Sequence, residues 1–248
     1  MSLLPADILL LLCLVALFTG FIKAGVPALG TLLTATVALI FPPRDALGVT
    51  LLYLLVGDLV AVSLYWRLAH WVELKKMLLP VVAGIVAGGI LLAYLDNEHL
   101  GLTLGIVVVL LVSMEPLRPR LNQWALAHPI SVRGGSGLLA GIATTIGNAA
   151  GPILSLYFLL LKLDKKAFVG TGAIFFFFVN VTKIPIFIGQ EIFQDRYYGS
   201  VLVTAPLVLL GALGGRKFLE WIPQEWFNRI ILVLTALAGV WLVLRFFI

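Results

Sequence analysis

Two lysines, Lys23 and Lys183, lie inside stretches otherwise apolar enough to sit in lipid, and each stands beside a Gly- or Pro-rich break. A lysine near the middle of a membrane helix costs about 2.5 to 3.5 kcal/mol on insertion scales, so one kept there faces a cavity, a counter-charge or a substrate. The chemistry it offers is recognition of an anion. Asn180 stands three residues before Lys183, on the same helical face. Thr171, at the expected start of that helix, adds a hydroxyl, so the set presents an ammonium, an amide and a hydroxyl to an oxyanion. The competing reading is that Lys183 snorkels to the membrane surface. Asp58 is the only acidic residue deep in an apolar stretch. It either balances Lys23 or carries a coupling proton, and both readings stay open on sequence alone.

The elements that must hold these groups are membrane helices. With 61% hydrophobic residues, 12% charged residues and a mean hydropathy of +1.11, the 248-residue chain has too little polar surface for a soluble globule. The formal charge of +5 is spread over short loops without a basic face, which points to lipid headgroups and away from nucleic acid. Cys13, the single cysteine, excludes a disulfide framework and a cysteine metal site. The N-terminus, MSLLPADILLLLCLVALF, lacks the basic start of a secretory signal and reads as part of the membrane domain.

Eight apolar stretches appear, at roughly 6–41, 46–66, 77–95, 100–114, 135–161, 167–189, 199–215 and 227–248. About 20 apolar residues suffice to cross the hydrocarbon core, so most fit one crossing and the first is far too long. Its middle, GFIKAGVPALG over 20–30, is poor material for an unbroken helix, and two short helices joined at the break fit better. The chain also repeats itself. A shift of 121 places Gly20 on Gly141, Gly30 on Gly151, Arg44 on Lys165 and Thr50 on Thr171; a shift of 122 places Asp58 on Asn180; a shift of 126 places Pro80, Gly88 and Gly89 on Pro206, Gly214 and Gly215. The second copy of the break is GIATTIGNAAGP over 141–152.

Loop charges choose the topology. Setting Lys23 and Lys183 aside leaves 15 of the 17 Lys and Arg residues. If all eight stretches crossed once, the two sides would carry 8 and 7, against the positive-inside bias; if the first and fifth dip in and return, the split is 12 against Arg44, Arg196 and Arg245. The expected fold is therefore all-α and membrane-embedded, with two inverted repeats, each a broken re-entrant hairpin followed by three transmembrane helices. The first repeat spans 1–117 (hairpin 6–41, helices 46–66, 77–95 and 100–114). A cytoplasmic linker follows at 118–134, and the second repeat spans 135–248 (hairpin 135–161, helices 167–189, 199–215 and 227–248). Both termini face outward.

Inverted repeats with discontinuous helices are the sequence sign of a secondary transporter whose site lies near the midplane. Backbone that leaves the helix at that depth must line protein or water, and the free N–H groups of a half-helix N-terminus favour an anion. Gly25 and Gly30 in the first break, and Gly147, Asn148 and Gly151 in the second, complete a candidate substrate site with Lys23, Thr171, Asn180 and Lys183, with Asp58 as coupling group or counter-charge. The plainer reading is that these glycines only permit tight helix packing.

The pattern GFIKAG then VPALG, a following PPRDALGVT, and later GNAAGP, LDKKAFVGT and FFFFVNVTKIP resembles the TauE/SafE family of sulfite exporters, related to sulfonate permeases, over nearly the whole chain. The resemblance implies an inner-membrane transporter of sulfite, sulfoacetate or a related sulfur-containing anion. Where the family often has a glycine run, this chain has Val-Pro-Ala.

An enzyme is disfavoured. An aspartyl protease needs two membrane carboxylates, a zinc protease needs His-Glu-x-x-His, and His70, His99 and His128 each stand alone. No base lies at membrane depth to activate a serine. No catalytic residue, metal or cofactor is expected. An anion channel with the same lysine-lined path is the alternative. With no G-x-x-x-x-G-K-[ST] motif, energy must come from an ion gradient or a partner chain. The expected partners are a small anion, the lipid bilayer, protons as candidate coupling ion and a second copy as candidate homodimer. Reporters fused after Lys76 and Arg120 should report the cytoplasm, and reporters after Asn97 and at Ile248 the outside. A cytoplasmic C-terminus would remove the inverted-repeat topology.

Overall fold

The Gly-Val-Pro run interrupts the first apolar stretch, as its backbone chemistry requires. The computed structural model describes residues 3–38, 40–94 and 128–247, and contains no strand among them. Helix α1 (Ala6–Ala24) ends at Gly25, a short 3-10 turn covers Pro27–Leu29, and α2 (Gly30–Val37) follows. At 19 residues α1 is longer than the short arm expected, and at 1.5 Å per residue it reaches about 28 Å, close to a hydrocarbon core.

Helix α3 (Pro43–Tyr65) begins with proline at its first position, where a missing N–H leaves nothing unpaired. A 3-10 turn at Trp66–Leu68 leads to α4 (Trp71–Tyr94). The helix expected over 100–114, together with Asn97, Arg118 and Arg120, lies outside the described residues.

In the second half α5 (Pro129–Gly147) begins inside the 118–134 stretch expected as linker, again with proline at its start. After a two-residue break comes α6 (Ala150–Leu160). Helix α7 (Lys165–Gly189) is capped by Asp164, whose carboxylate accepts the N–H groups of Lys166 and Ala167, both at 3.0 Å.

The 199–215 stretch, expected as one helix, is two: α8 (Asp195–Thr204) and α9 (Leu207–Trp221), bent by 53°. Pro206 between them cannot donate to the preceding turn, and its ring clashes with it. Helix α10 (Gln224–Phe247) closes the described chain. Among the described residues four helices are long and apolar enough to cross a bilayer, or five if α8 and α9 count as one span. Exposed Leu10, Leu79, Leu202 and Leu213 along their faces suit lipid contact.

Two glycine seams hold the bundle. Along α1 and α9, a Cβ at Gly20, Gly211 or Gly215 would collide with the backbone of Val208, Leu17 or Phe21 respectively. Along α4 and α5, a Cβ at Gly84, Gly141 or Gly88 would meet the backbone of Leu138, Val81 or Ile142. Small residues let helix backbones approach this closely where lipid offers no hydrophobic push. The seams also share a register: Leu138 and Ile142 lie 121 residues beyond Leu17 and Phe21, and Gly211 and Gly215 lie 127 beyond Gly84 and Gly88. In a Gly-rich chain, adjacent glycines align equally well under shifts of 126 and 127. Gly84→Val and Gly211→Val should lower the melting temperature in detergent, with overpacking costs of about 1 to 3 kcal/mol or more. Gly30→Ala should leave it unchanged, since a Cβ there has nothing within 4 Å.

Candidate functional site

Both breaks open onto one small cavity. Asn148 ends α5 in a left-handed conformation (φ 53°), which its short amide side chain tolerates better than most. Its N–H bonds Thr144 O at 2.9 Å, and the next N–H, that of Ala149, bonds Ala143 O at 3.1 Å. Neither α2 nor α6 has a side-chain cap at its N-terminus, so backbone N–H groups begin two half-helices beside the breaks. The cavity, about 10 Å³, is lined by Ile22, Lys23, Pro27, Gly30, Leu54, Thr144, Asn148, Phe176 and Asn180. That is room for about one water.

Three charged side chains meet around it. Lys23, 5% exposed, points its ammonium at Asp58 Oδ1 at 2.5 Å and lies 4.5 Å from the centre of the Phe176 ring. Asp58, fully buried, accepts from Asn180 Nδ2 through its other oxygen at 2.5 Å. Lys183, also fully buried, donates to Asn148 Oδ1 at 2.5 Å, to Thr144 O at 3.1 Å and to Thr144 Oγ1 at 3.2 Å. It points inward and does not snorkel. No carboxylate pairs with Lys183 among the described residues, and Asp58 is paired with Lys23.

Each cavity amide uses one end. Asn148 Nδ2 and Asn180 Oδ1 are buried without a hydrogen-bond partner, and such a group costs about 1 to 3 kcal/mol unless something binds it. The lysine and the carboxylate fix which end of each amide is which. Asn148 is left with a free donor, the polarity an anion requires, and Asn180 with a free acceptor.

The site residues expected from the sequence divide. Lys23, Gly30, Asn148 and Asn180 line the cavity, with Asp58 and Lys183 directly behind. Gly147 is the last residue of α5, and Gly151 lies in the first turn of α6. Gly25 is a packing residue: a Cβ there would lie 2.9 Å from the carbonyl oxygens of both Gly215 and Phe21. Thr171 stands apart. Helix α7 starts at Lys165, not at Thr171, and nine residues separate Thr171 from Asn180, about 13 Å of helix. Its hydroxyl donates to Ala167 O at 2.6 Å and accepts the His70 N–H at 2.9 Å.

Three contributors were not read from the sequence. Thr144 supplies two of the oxygens on Lys183 and lies 121 residues after Lys23, the same shift that aligns Gly20 with Gly141. Gly57 makes space for the Lys23 stem, since a Cβ there would sit 2.9 Å from Lys23 Cγ. Phe176 gives the Lys23 ammonium an aromatic face. In the first turn of α4, Glu73 holds Arg133 at 2.8 Å and the Tyr157 hydroxyl at 2.8 Å, tying α4 to α5 and α6.

No curated protein and no solved structure matches this chain. The family model for the sulfite exporter TauE/SafE matches residues 12–242. That match takes in both breaks, both buried lysines and Asp58, so the chain belongs to the TauE/SafE sulfite exporter family of membrane transporters.

Proposed function

We propose that this chain is a secondary transporter that carries a small oxyanion, sulfite or a sulfur-containing organic anion such as sulfoacetate, across the inner membrane with proton coupling. The observation that carries the reading is a second buried lysine without a carboxylate: Lys183 is held by the neutral oxygens of Thr144 and Asn148 and faces the Phe187 ring, while Lys23 already occupies Asp58. An uncompensated buried charge is costly, and an anion brought to Lys183 compensates it. The unpaired amide of Asn148 and the start of α6 beside it add donors on the same side. Thr144 and Asn148 release the ammonium when an anionic oxygen takes their place.

A four-heavy-atom oxyanion is larger than the cavity, so the walls must part for it on one side or the other. An enclosed cavity of this size supports a carrier over an open anion channel. The inverted-repeat reading draws support from the matched glycine seams and from Asp58 bonding Asn180, the residue aligned with it across the repeat. Two aligned residues touch when they lie on a pseudo-two-fold axis. In this reading the halves rock about that axis, both termini face the outside, and the break between α5 and α6 stays with the site.

Titration calorimetry of sulfite on the purified protein tests the assignment. Lys183→Ala should weaken binding at least about tenfold, because a charge-assisted hydrogen bond contributes about 1.5 to 3 kcal/mol. Lys183→Arg should restore part of the affinity with altered selectivity, since a planar fork does not replace a compact ammonium. Gly151→Leu should abolish flux in proteoliposomes at normal expression, since its side chain would fill the approach to the start of α6. Unchanged sulfite affinity in Lys183→Ala moves the site to Lys23.

A further inference from the structure

We infer that Asp58 sets the valence of the anion: ionised, it leaves the site fit for a monovalent oxyanion, and protonated, for a divalent one. This rests on the transporter reading and goes further, because it ties proton coupling to the charge of the cargo. The groups that face Asp58 are few. Lys23 comes from α1, and Asn180 and Lys183 come from α7. Among the described residues, the polar side chains buried on α2 and α8 are Thr34, Ser200, Thr204 and Tyr197, whose hydroxyl bonds Asp45, and α9 buries no polar side chain. Among the described residues the remaining buried acid, Glu73 in the first turn of α4, is held by Arg133. The site therefore carries two positive groups and a single carboxylate.

With Asp58 ionised the empty site has one surplus positive charge, and a monovalent anion neutralises it. A divalent anion would leave a surplus negative charge in a low dielectric, which is costly. A proton from water placed on the Asp58 carboxylate restores the balance. The position suits this exchange. Asp58 Oδ1 meets only the Lys23 ammonium, while Oδ2 keeps its bond from Asn180 Nδ2 in either state. Protonation at Oδ1 ends the ionic hold on Lys23, whose ammonium is then free to turn to the second negative charge across the cavity it already lines. A divalent anion thus travels with one proton, and a monovalent anion travels alone.

The test is calorimetric titration of the detergent-purified full chain with methanesulfonate, sulfate and sulfite, each in two buffers of different ionisation enthalpy, which counts protons taken up. Sulfate should take up about one proton per anion bound, and methanesulfonate none. Sulfite supplies the same comparison by itself, measured as hydrogensulfite at lower pH and as the dianion at higher pH. Asp58→Asn, fixed in the more positive state, should raise the preference for sulfate over methanesulfonate at least about tenfold and remove the proton uptake. Equal proton uptake for the two valences, or an unchanged preference in Asp58→Asn, overturns the inference while leaving the transporter reading in place. Should Asp58→Asn fail to fold, the wild-type proton counts decide alone. Binding of none of the three anions by wild type overturns the transporter reading and this inference together.

Discussion

A cation buried at membrane depth must be answered by something, and among the described residues Lys183 is answered by neutral oxygens and the face of Phe187, with no carboxylate bonded to it. Much of the second half follows from that constraint. The oxygens come from Thr144 and Asn148, one helical turn apart at the end of α5. The left-handed turn at Asn148 brings its amide under the ammonium and also ends the helix there, which starts α6 beside the cavity. The glycine seam between α4 and α5 holds that end in place against a neighbour that cannot shift without opening backbone contacts. Scaffold packing and site geometry are therefore one arrangement.

The two halves build related supports with different chemistry. Lys23 reaches from α1 to Asp58 on α3, whereas Lys183 reaches from α7 back to α5. Thr144 lies 121 residues after Lys23, and Asn180 lies 122 residues after Asp58. Asp58 and Asn180 share a hydrogen bond that joins α3 to α7. In the proposed repeat, these positions would carry a charge in one half and a neutral partner in the other, which would give the site a polarity that identical halves would lack.

The parts legible in the sequence were those that contradict their surroundings. Lys23, Asp58 and Lys183 stand out because an apolar background makes an ionisable group expensive, and the Gly-Val-Pro run stands out because it cannot continue a helix. Features that depend on packing were not legible. The start of α7 was placed at Thr171, but the N-cap belongs to Asp164, a short-range signal present in the LDKK run and outweighed by the apolar pattern after it. Pro206 was read as a repeat marker and not as the cause of the bend between α8 and α9. Thr144 and Gly57 have no chemical signature of their own; one matters through its carbonyl and hydroxyl, the other through the space it leaves.

The central claim is that an oxyanion sits in the cavity between Lys23, Asn148 and Asn180, on the side of the Lys183 ammonium. Selenite, the heavier analogue of sulfite, locates it directly by anomalous scattering from crystals of the full chain. The account predicts one strong peak in that cavity, with Asn148 Oδ1 displaced from Lys183. A peak confined to the separate groove lined by Ile188, Glu191, Arg196 and Tyr198, with the cavity empty and Asn148 still bonded to Lys183, would contradict it.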